Sequence, residues 1–295
     1  MGRVSEGKKA ERFAFIADHH AEFGIRYLCR QLKVSFQGYY TWLDRPPSAR
    51  DEANREVLRK IETLYQLHDG NYGSPRIHAA LVEEGEVVNH KRVERLMRES
   101  GLVGKAGRLY RRKPLPVNPC LTVPNRRLAQ GMPTGSNQQW GGDVTYLKFK
   151  GTWQYLSVVM DLYSRQVIGW ALSGSRTVDL TLSALSKALS CRPVGADLIF
   201  HSDRGAEYGA KRYQQALADS GIVSSMNRPG VMNDNVHIET FFQTFKTECF
   251  RGVDFKSVHE LKATIADYLD DYYNTRRHHS SLGYKTPIDY ERMAA

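Results

Sequence analysis

Residues 140–162 read WGGDVTYLKFKGTWQYLSVVMDL. This stretch contains two runs of β-forming residues, 140–148 and 153–162, which are separated by a turn at Lys150. A third apolar run follows at 166–173. Three strands joined by short turns predict an antiparallel meander.

The chain downstream of the meander alternates helical and strand patterns. Leucines at helical spacing predict a helix between 180 and 189, and residues 198–200 form a short apolar strand. A helix over 213–220, a strand over 222–226 and a further helix complete the order β-β-β-α-β-α-β-α. This order is typical of a ribonuclease-H-like α/β fold, with a mixed five-stranded sheet and helices on both faces. We predict this core, with a C-terminal helical tail, for residues 138–295.

Three carboxylates stand out by their positions in these elements. Asp143 lies in the first strand, Asp203 ends the fourth, and Glu239 lies in the helix that follows the fifth. A carboxylate beside an apolar strand costs several kcal/mol if it is buried without a partner. Mg²⁺ or Mn²⁺ would offset this cost, and two such ions can clamp the attacking and leaving oxygens of a phosphodiester. The alternative for any one of them is an aspartate that caps a turn, and we assign Asp234 to that role, as the N-cap of the Glu239 helix.

The Glu239 helix has one apolar face and a polar edge. The face consists of Ile238, Phe241, Phe242, Phe245 and Cys249. Asn235, Glu239 and Lys246 lie along its edge. Lys246 is therefore placed to meet a DNA phosphate near Glu239. The alternative is a lysine that only extends to solvent from the apolar surface.

Composition and charge narrow the class of protein. Hydrophobic residues make up 41% and charged residues 25% of the 295 residues, which excludes a wholly disordered chain. No run approaches the roughly 18 apolar residues of a membrane span, so we expect a cytoplasmic location. The cysteines form no CxxC pair, which argues against a thiolate zinc site. The net charge of +10 is uneven, with +9 in residues 1–137 and +1 in residues 138–295. The basic half indicates a polyanion-binding region, although a merely soluble basic surface is the alternative.

Two helical pairs precede the core. In residues 1–48, a helix with Leu28 and Leu32 is followed by Ser35, which is a good N-cap for a second short helix that Arg45-Pro46-Pro47 ends. Residues 49–103 contain a long amphipathic helix, a helix predicted to start with Ser74 as N-cap, and a last helix capped by Asn89. This last helix carries basic residues, namely Lys91, Arg92, Arg95 and Arg98. We predict that it lies in a DNA major groove as part of a helix-turn-helix domain, the alternative being a solvated basic face.

Residues 104–137 lack periodicity and are rich in proline and basic side chains. We interpret them as an extended linker that follows a DNA backbone. The candidate phosphate contacts there are Arg108, Arg111, Arg112 and Lys113.

The motifs around the three carboxylates resemble those of a known family. They are WGGDVTYL, YLSVVMDLYSRQVIGWAL, HSDRGAEY, DNVHIETFFQTFKTE and YYNTRRHHSSLGYKTP, in that order along the chain. They resemble the second-reading-frame (OrfB) product of the insertion-sequence-three family of bacterial transposases, within the retroviral-integrase superfamily. The segment YGSPRIHAALVEEGEVVNHKRVERLMRESGL resembles the helix-turn-helix that precedes the core in that family. The resemblance covers residues 25–290.

This resemblance implies a DDE transposase. Asp143 and Asp203 would bridge two Mg²⁺ or Mn²⁺ ions, and Glu239 would hold the second ion, for strand cleavage and strand transfer at element ends. Arg276 and Arg277, in the last motif, would touch DNA, whereas His201 and His237, near the carboxylates, are interpreted as structural. The implied partners are terminal inverted repeats, target DNA, further copies of the chain, and the upstream-frame (OrfA) product as a separate protein or a frameshift fusion.

Two other functions remain open from the residues alone. One is a nuclease of the same fold, such as a ribonuclease, that cuts strands without joining them, and the basic helical half argues against this. The other is a non-catalytic helix-turn-helix regulator, and the intact carboxylate set argues against that.

Overall fold

The computed structural model describes residues 8–46, 48–105, 123–229 and 233–294. These residues form two compact units, of which one extends to Lys60 and the other begins at Ile61. No helix within these ranges is long and apolar enough to cross a membrane. The sequence-based division of the chain into four regions stays a prediction.

The first unit is built on three short helices. They are α1 (Lys9–Phe23), α2 (Ile25–Gln31) and α3 (Phe36–Leu43). Their buried side chains include Phe13, Ile16, Leu28, Leu32 and Tyr39. The Ser35 hydroxyl accepts the Gly38 N–H at 3.0 Å, so Ser35 is the N-cap of α3, as its residue type predicts.

Three further helices form the predicted helix-turn-helix region. They are α4 (Ala49–Leu67), α5 (Ser74–Glu83) and α6 (His90–Glu99). Asn89 caps α6 as predicted, because its side chain accepts the Lys91 N–H at 2.8 Å. The start of α5 differs by one residue, since Gly73 is its N-cap and Ser74 is already helical. The apolar sides of α5 and α6 are buried at Ile77, Ala80, Leu81, Val93, Leu96 and Met97.

The end of the predicted linker lies against the core. Residues 126–130 form the short helix α7 (Arg126–Gln130). The Ser225 hydroxyl accepts the Arg126 N–H at 3.0 Å, and the Pro124 carbonyl accepts the Met226 N–H at 3.3 Å. The segment from residue 123 onward is therefore part of the core unit. Residues 106–122, with the predicted contacts Arg108, Arg111, Arg112 and Lys113, lie outside the described residues.

The core sheet confirms the predicted ribonuclease-H-like class. Its strands are β1 (Gln139–Phe149), β2 (Thr152–Asp161), β3 (Val167–Ser173), β4 (Ile199–Ser202) and β5 (Val223–Met226). Their order in the sheet is β3-β2-β1-β4-β5. The β3-β2-β1 meander is antiparallel, while β4 and β5 pair in parallel on the other side of β1. The central strand β1 is therefore bonded on both edges and buried over most of its length.

Helices cover both faces of this sheet. The first face carries α8 (Val178–Cys191), α9 (Ala206–Gly209) and α10 (Lys211–Asp219). The second face carries α11 (Val236–Phe245), α12 (Val258–Ala266) and two π-helical turns, Lys246–Phe250 and Asp267–Tyr273. The described chain ends with α13 (Pro287–Ala294). The predicted apolar face of the Glu239 helix forms part of the second core layer.

The packing of α8 on the sheet depends on Gly169 in β3. A Cβ atom at this position would lie 2.3 Å from the Ala184 carbonyl oxygen and 2.8 Å from the Ala188 nitrogen. Both are backbone atoms on the buried side of α8, so they cannot move aside without a shift of the helix. We expect Gly169→Ala to lower the free energy of unfolding by about 1–3 kcal/mol, the usual cost of overpacking. Urea unfolding measures this difference.

The matched control is Gly174→Ala, just beyond the other end of the same strand. Its Cβ would meet nothing closer than the Gln154 side chain at 3.7 Å, which is ordinary contact. A similar stability for both variants would contradict the close β3–α8 packing.

Candidate active site

The first two carboxylates lie at matching positions on neighbouring strands. In the parallel register, Gly141 is opposite His201 and Gly142 is opposite Ser202. Asp143 is the next residue of β1, and Asp203 directly follows the last residue of β4, so the sheet places both beside the C-terminal end of β4. Asp143 is only 2% exposed, and its carboxylate accepts the Val144 N–H at 2.7 Å.

The environment of Asp203 favours its neutral form. Burial, followed by the negative charge of Asp143, raises the pKa of Asp203 to about 7. The Gly205 N–H, which donates to the Asp203 Oδ1 at 2.9 Å, lowers this pKa but does not cancel the increase. Two carboxylates that repel each other in this way, one buried and one half-buried, are stabilised by a proton or a cation between them.

Two glycines allow the layers on both faces to reach the backbone of β1 just before Asp143. A Cβ at Gly141 would lie 2.6 Å from the Ile238 Cδ1, and a Cβ at Gly142 would lie 2.4 Å from the Phe200 ring. Ile238 belongs to α11, so the absence of a side chain at Gly141 brings α11 directly onto β1.

Glu239 follows Ile238 at this contact. The Asn235 amide, just before α11, donates to the Gly142 carbonyl at 3.3 Å, which fixes the start of the helix over β1. Glu239 lies half-buried in the first turn of α11. Asn235 is 2% exposed, and its Oδ1 has no hydrogen-bond partner among the residues that the structure describes. Asn235 shares the polar edge of this helix with Lys246, and the sequence predicts it as a DNA contact on that basis; because it is buried, it is not kept as a direct DNA contact.

The three carboxylates are not arranged as a finished metal centre. Within the described ranges, no group of three or more His, Cys, Asp or Glu side chains has the arrangement to hold a metal ion. The donor chemistry nevertheless fits a divalent ion at the aspartate pair, because the buried Asp143 and the half-buried Asp203 supply carboxylate oxygens, and the buried Asn235 next to β1 has an unpaired oxygen. Glu239 is placed on the adjacent helix turn and is not part of such a cluster.

The N-cap role predicted for Asp234 is wrong. Asn235 is the N-cap of α11, and no side chain caps that end by a hydrogen bond. Asp234 instead accepts the Asn125 amide at 2.8 Å and the Arg228 backbone N–H at 3.0 Å, and it pairs with the Arg228 guanidinium at 3.1 Å. The Arg127 guanidinium donates to the Asp234 carbonyl. Asp234 therefore ties the loop before α11 to the segment that contains α7.

Lys246 lies at the junction between two helix types. The α-helical part of α11 ends at Phe245, and a π-helical turn begins at Lys246. Lys246 is half-buried, two α-helical turns from Glu239. Cys249, which the sequence placed on the apolar face, is in the π turn and is buried. Single π turns inside helices occur frequently at functional sites.

Sequence reasoning missed a charged group beside Asp203. Glu207 is buried, and the Arg176 Nε donates to its Oε1 at 2.8 Å. A second guanidinium nitrogen of Arg176 donates to the Tyr146 hydroxyl. The charge of Glu207 raises the pKa of Asp203, and that of Arg176 lowers it. The available signal was the position of Glu207 inside the HSDRGAEY motif, four residues after Asp203.

The two histidines near the site are held neutral. His201 is fully buried. Its Nδ1 lies 2.9 Å from the Ser225 hydroxyl, and its Nε2 lies 2.8 Å from the Asn227 Oδ1. Burial, followed by the charge of Arg127, lowers the pKa of His201 to about 4. Burial, with the charges of Arg165 and Arg127, lowers the pKa of His237 to about 3. The hydrogen bonds of His201 agree with its structural interpretation.

Arg277 does not lie on a DNA-binding surface. It is 2% exposed, and its Nε and Nη2 donate to Glu248 at 2.7 and 2.8 Å. A guanidinium committed to a buried bidentate pair has no surface to offer a phosphate, so Arg277 is removed from the candidate contacts. Arg276 is half-exposed and pairs with Asp271 at the surface, so it stays a candidate.

The basic side chains of α6 lie at its surface. Lys91 and Arg98 are exposed, and Arg92 is half-buried. Arg95 pairs with Glu99 at 2.8 Å on the same helix. An exposed pair of this kind contributes little stability and leaves Arg95 able to exchange partners.

Comparisons with known proteins agree with this architecture. An integrase core domain family matches residues 133–231, and a second integrase core domain family matches residues 220–287. An HTH-like domain family matches residues 52–113. A helix-turn-helix region followed by a ribonuclease-H-like integrase core defines an enzyme that acts on DNA.

Similar curated proteins identify the family. Transposase InsF for insertion sequence IS3A of Escherichia coli K12 is 36% identical over 95% of this chain and 98% of that protein. The transposase for insertion sequence element IS904 of Lactococcus lactis is 36% identical over 85% of this chain and 99% of that protein. The chain belongs to the insertion-sequence-three family of DDE transposases.

Among solved structures, the chain is similar to one chain of a simian T-cell lymphotropic virus intasome in complex with PP2A regulatory subunit B56 gamma. The matched chain is 18% identical, with a TM-score of 0.46, over 78% of this chain and 74% of that chain.

The placement of Arg277 predicts a stability effect. Arg277→Ala removes the bidentate partner of the buried Glu248 carboxylate and leaves only the Tyr268 hydroxyl and the more distant Arg76, so we expect the free energy of unfolding to fall by about 3–5 kcal/mol. Urea unfolding followed by tryptophan fluorescence measures it.

The neighbouring Arg276→Ala is the matched control. It removes only a surface ion pair, which contributes at most about 1 kcal/mol. Equal stability of the two variants would show that the Glu248–Arg277 pair is not buried as described.

Proposed function

We propose that Asp143, Asp203 and Glu239 are the catalytic carboxylates with which this transposase cuts DNA at the ends of its element and joins the exposed 3′ ends to target DNA. The observation that carries this proposal is the pairing of the buried Asp143 with the half-buried Asp203, in which the charge of Asp143 raises the pKa of Asp203. Glu239 completes the set because α11 begins directly on β1 at Gly141 and Gly142.

We infer that the site takes two divalent ions, Mg²⁺ or Mn²⁺, with Asp143 and Asp203 holding both and Glu239 holding the second. Bound there, such ions lower the pKa of a water or a 3′-hydroxyl and stabilise the leaving oxygen of the phosphodiester. The chain contributes the position of the oxygens: Gly205 orients the Asp203 carboxylate, and the Glu207–Arg176 pair holds the following loop. Asn235, with its unpaired buried oxygen, is suited to orient a water beside the pair.

DNA contacts in this proposal come from several regions of the chain. The basic residues of α6 bind the terminal repeat, with α6 in the major groove. Lys246 meets a phosphate close to the cut, and a lysine suits this role because it acts as a point charge. Arg276 adds a contact from the C-terminal motif. Asn235 and Arg277 are left out because both are buried.

The proposed partners follow from the reaction. Both ends of an element must be joined, so we infer that several copies of the chain assemble on the DNA, in the bacterial cytoplasm where the chromosome lies. The sequence contains no leucine heptads sustained over three repeats. We therefore infer that the upstream-frame (OrfA) product supplies a coiled coil, as a separate protein or a frameshift fusion.

The triad is tested by three isosteric changes. Asp143→Asn, Asp203→Asn and Glu239→Gln each keep the side-chain volume and remove the charge that attracts a divalent ion. We expect each to reduce cleavage and joining of a labelled element end by at least about 10³-fold while end binding stays near normal. A gel assay in Mg²⁺ with a labelled end measures all three quantities.

The control for these variants is Asp254→Asn at an exposed loop position, which removes the same charge away from the site. A carboxylate variant that retains a tenth of wild-type joining does not belong to the site. Cut products without joined products would favour a nuclease, and shifted bands alone would favour a regulator.

The role of α6 is tested by salt dependence. A triple variant changes Arg92, Arg95 and Arg98 to Gln. It leaves up to three DNA phosphates without a cationic partner. The slope of log affinity against log salt should therefore fall by about 0.9 for each phosphate that the protein no longer neutralises. Fluorescence anisotropy with an end-containing duplex gives this slope.

A control variant neutralises three exposed basic residues of the core, Lys211, Arg212 and Lys262. An equal fall in slope for both variants would mean that α6 makes no special contribution to binding.

The upstream partner is tested by reconstitution. We expect the chain alone to give inefficient end-specific transposition, and addition of the upstream-frame product, or a fusion to it, to restore efficiency. Counting transposition events from a plasmid donor measures this, and efficient events from the chain alone would contradict the proposal.

A further inference from the structure

One hydroxyl group joins the helix-turn-helix region to the C-terminal motif. Tyr72 lies between α4 and α5, is fully buried, and stacks on His68 with the ring centroids 3.7 Å apart. Its hydroxyl accepts the His278 N–H at 2.8 Å and donates to the Arg276 carbonyl at 3.1 Å. It thereby holds the backbone on both sides of Arg277. The sequence pattern alone gives Tyr72 no role.

The side chain of Arg277 then reaches the helix that carries Glu239. Its bidentate pair with Glu248 is buried on both sides, and the Tyr268 hydroxyl donates to the same carboxylate at 2.8 Å. Glu248 belongs to the π-helical turn that continues α11. Tyr72, Arg277 and Glu248 thus form a continuous buried connection from the helix-turn-helix region to the end of α11.

A second connection joins the same parts at the surface. Glu83, the last residue of α5, pairs with His278 at 3.1 Å and lies 3.7 Å from Lys285. On the buried side, the Arg76 guanidinium of α5 lies 3.7 Å from Glu248. Residues 276–285, which we name the C-terminal brace, therefore contact both α5 and the extension of α11.

We propose that the C-terminal brace positions α5 and α6 relative to α11, and so determines which phosphate of a bound element end meets the catalytic carboxylates. This inference rests on the proposed function. Tyr72, Glu83, Arg277 and Glu248 are positioning residues, since none of them is placed at the carboxylate pair.

The spacing of phosphates along a DNA strand makes this proposal measurable. Successive phosphates of one strand are about 3.4 Å apart along the duplex. A hydrogen-bonded connection that loosens by a few Å therefore brings a neighbouring phosphate into the site. Misplacement of reacting groups by about 1 Å can also slow a reaction by about 10²-fold. A loosened brace should change both the position and the rate of cleavage, with little effect on end binding.

The first test is Tyr72→Phe, which keeps the ring on His68 and removes only the hydroxyl. The full chain, with the upstream-frame product, is given a labelled end, and the cut is located at single-nucleotide resolution. We expect cuts at two or more neighbouring phosphates and a rate lower by at least about tenfold, with end affinity unchanged within about twofold. Tyr65→Phe is the control, because the Tyr65 hydroxyl donates to the Val103 carbonyl and does not reach the brace.

The second test uses the surface connection and does not depend on a buried change. Glu83→Lys places a positive charge beside His278 and Lys285. We therefore expect this variant, like Tyr72→Phe, to cut at more than one neighbouring phosphate. Glu84→Lys makes the same charge change one residue further on, where none of these contacts is made, and controls for the effect of charge on DNA affinity.

Nicking of a plasmid without element ends, in Mn²⁺, separates this inference from the proposed function. We expect Tyr72→Phe and Glu83→Lys to nick at the wild-type rate, because the carboxylates are intact. Cutting by both variants at the wild-type phosphate and rate would overturn the brace alone. A wild-type protein that binds ends but cuts no DNA would contradict the proposed function and the brace with it.

Discussion

The catalytic layer depends on the absence of two side chains, at Gly141 and Gly142. Their Cβ atoms would lie 2.6 Å from Ile238 on one face of the sheet and 2.4 Å from Phe200 on the other. Because both layers can touch the backbone of β1, the strand that carries Asp143 lies directly under the first turn of α11. The position of Glu239 relative to the aspartates follows from this contact and not from any interaction among the carboxylates themselves.

Two groups of charged side chains in the core differ in whether their charges attract or repel each other. Glu248 is paired with the bidentate guanidinium of Arg277 and accepts a hydrogen bond from the Tyr268 hydroxyl, so the pair serves as a structural connection. Asp143 and Asp203 repel each other, and this repulsion adds to burial in raising the pKa of Asp203. The first arrangement is stable without a ligand, whereas the second gains stability from a cation. This contrast separates the part that holds the core together from the part that reacts.

The sequence predicted the sheet, the helix order and the positions of the carboxylates because these depend on local periodicity and on motif spacing. It failed where partners are distant in the chain. Nothing local to Arg277 indicates that Glu248, 29 residues earlier, buries its charge, so the residue was interpreted as a DNA contact. Asp234 bonds to Arg228, six residues earlier, and to Asn125, 109 residues earlier, and neither contact is indicated by its position before a helix. The Arg176–Glu207 pair likewise joins the segment after β3 to α9, 31 residues further along the chain.

The most direct measurement is the location of Mn²⁺ by anomalous X-ray scattering from crystals of the protein with a cleaved element end. The proposed function predicts an anomalous peak between the carboxylates of Asp143 and Asp203, with Glu239 as a ligand of a second peak. Peaks at this site should disappear in Asp203→Asn crystals grown in the same way. Strong Mn²⁺ peaks elsewhere on the chain, with none between the two aspartates, would contradict the assignment of the catalytic site.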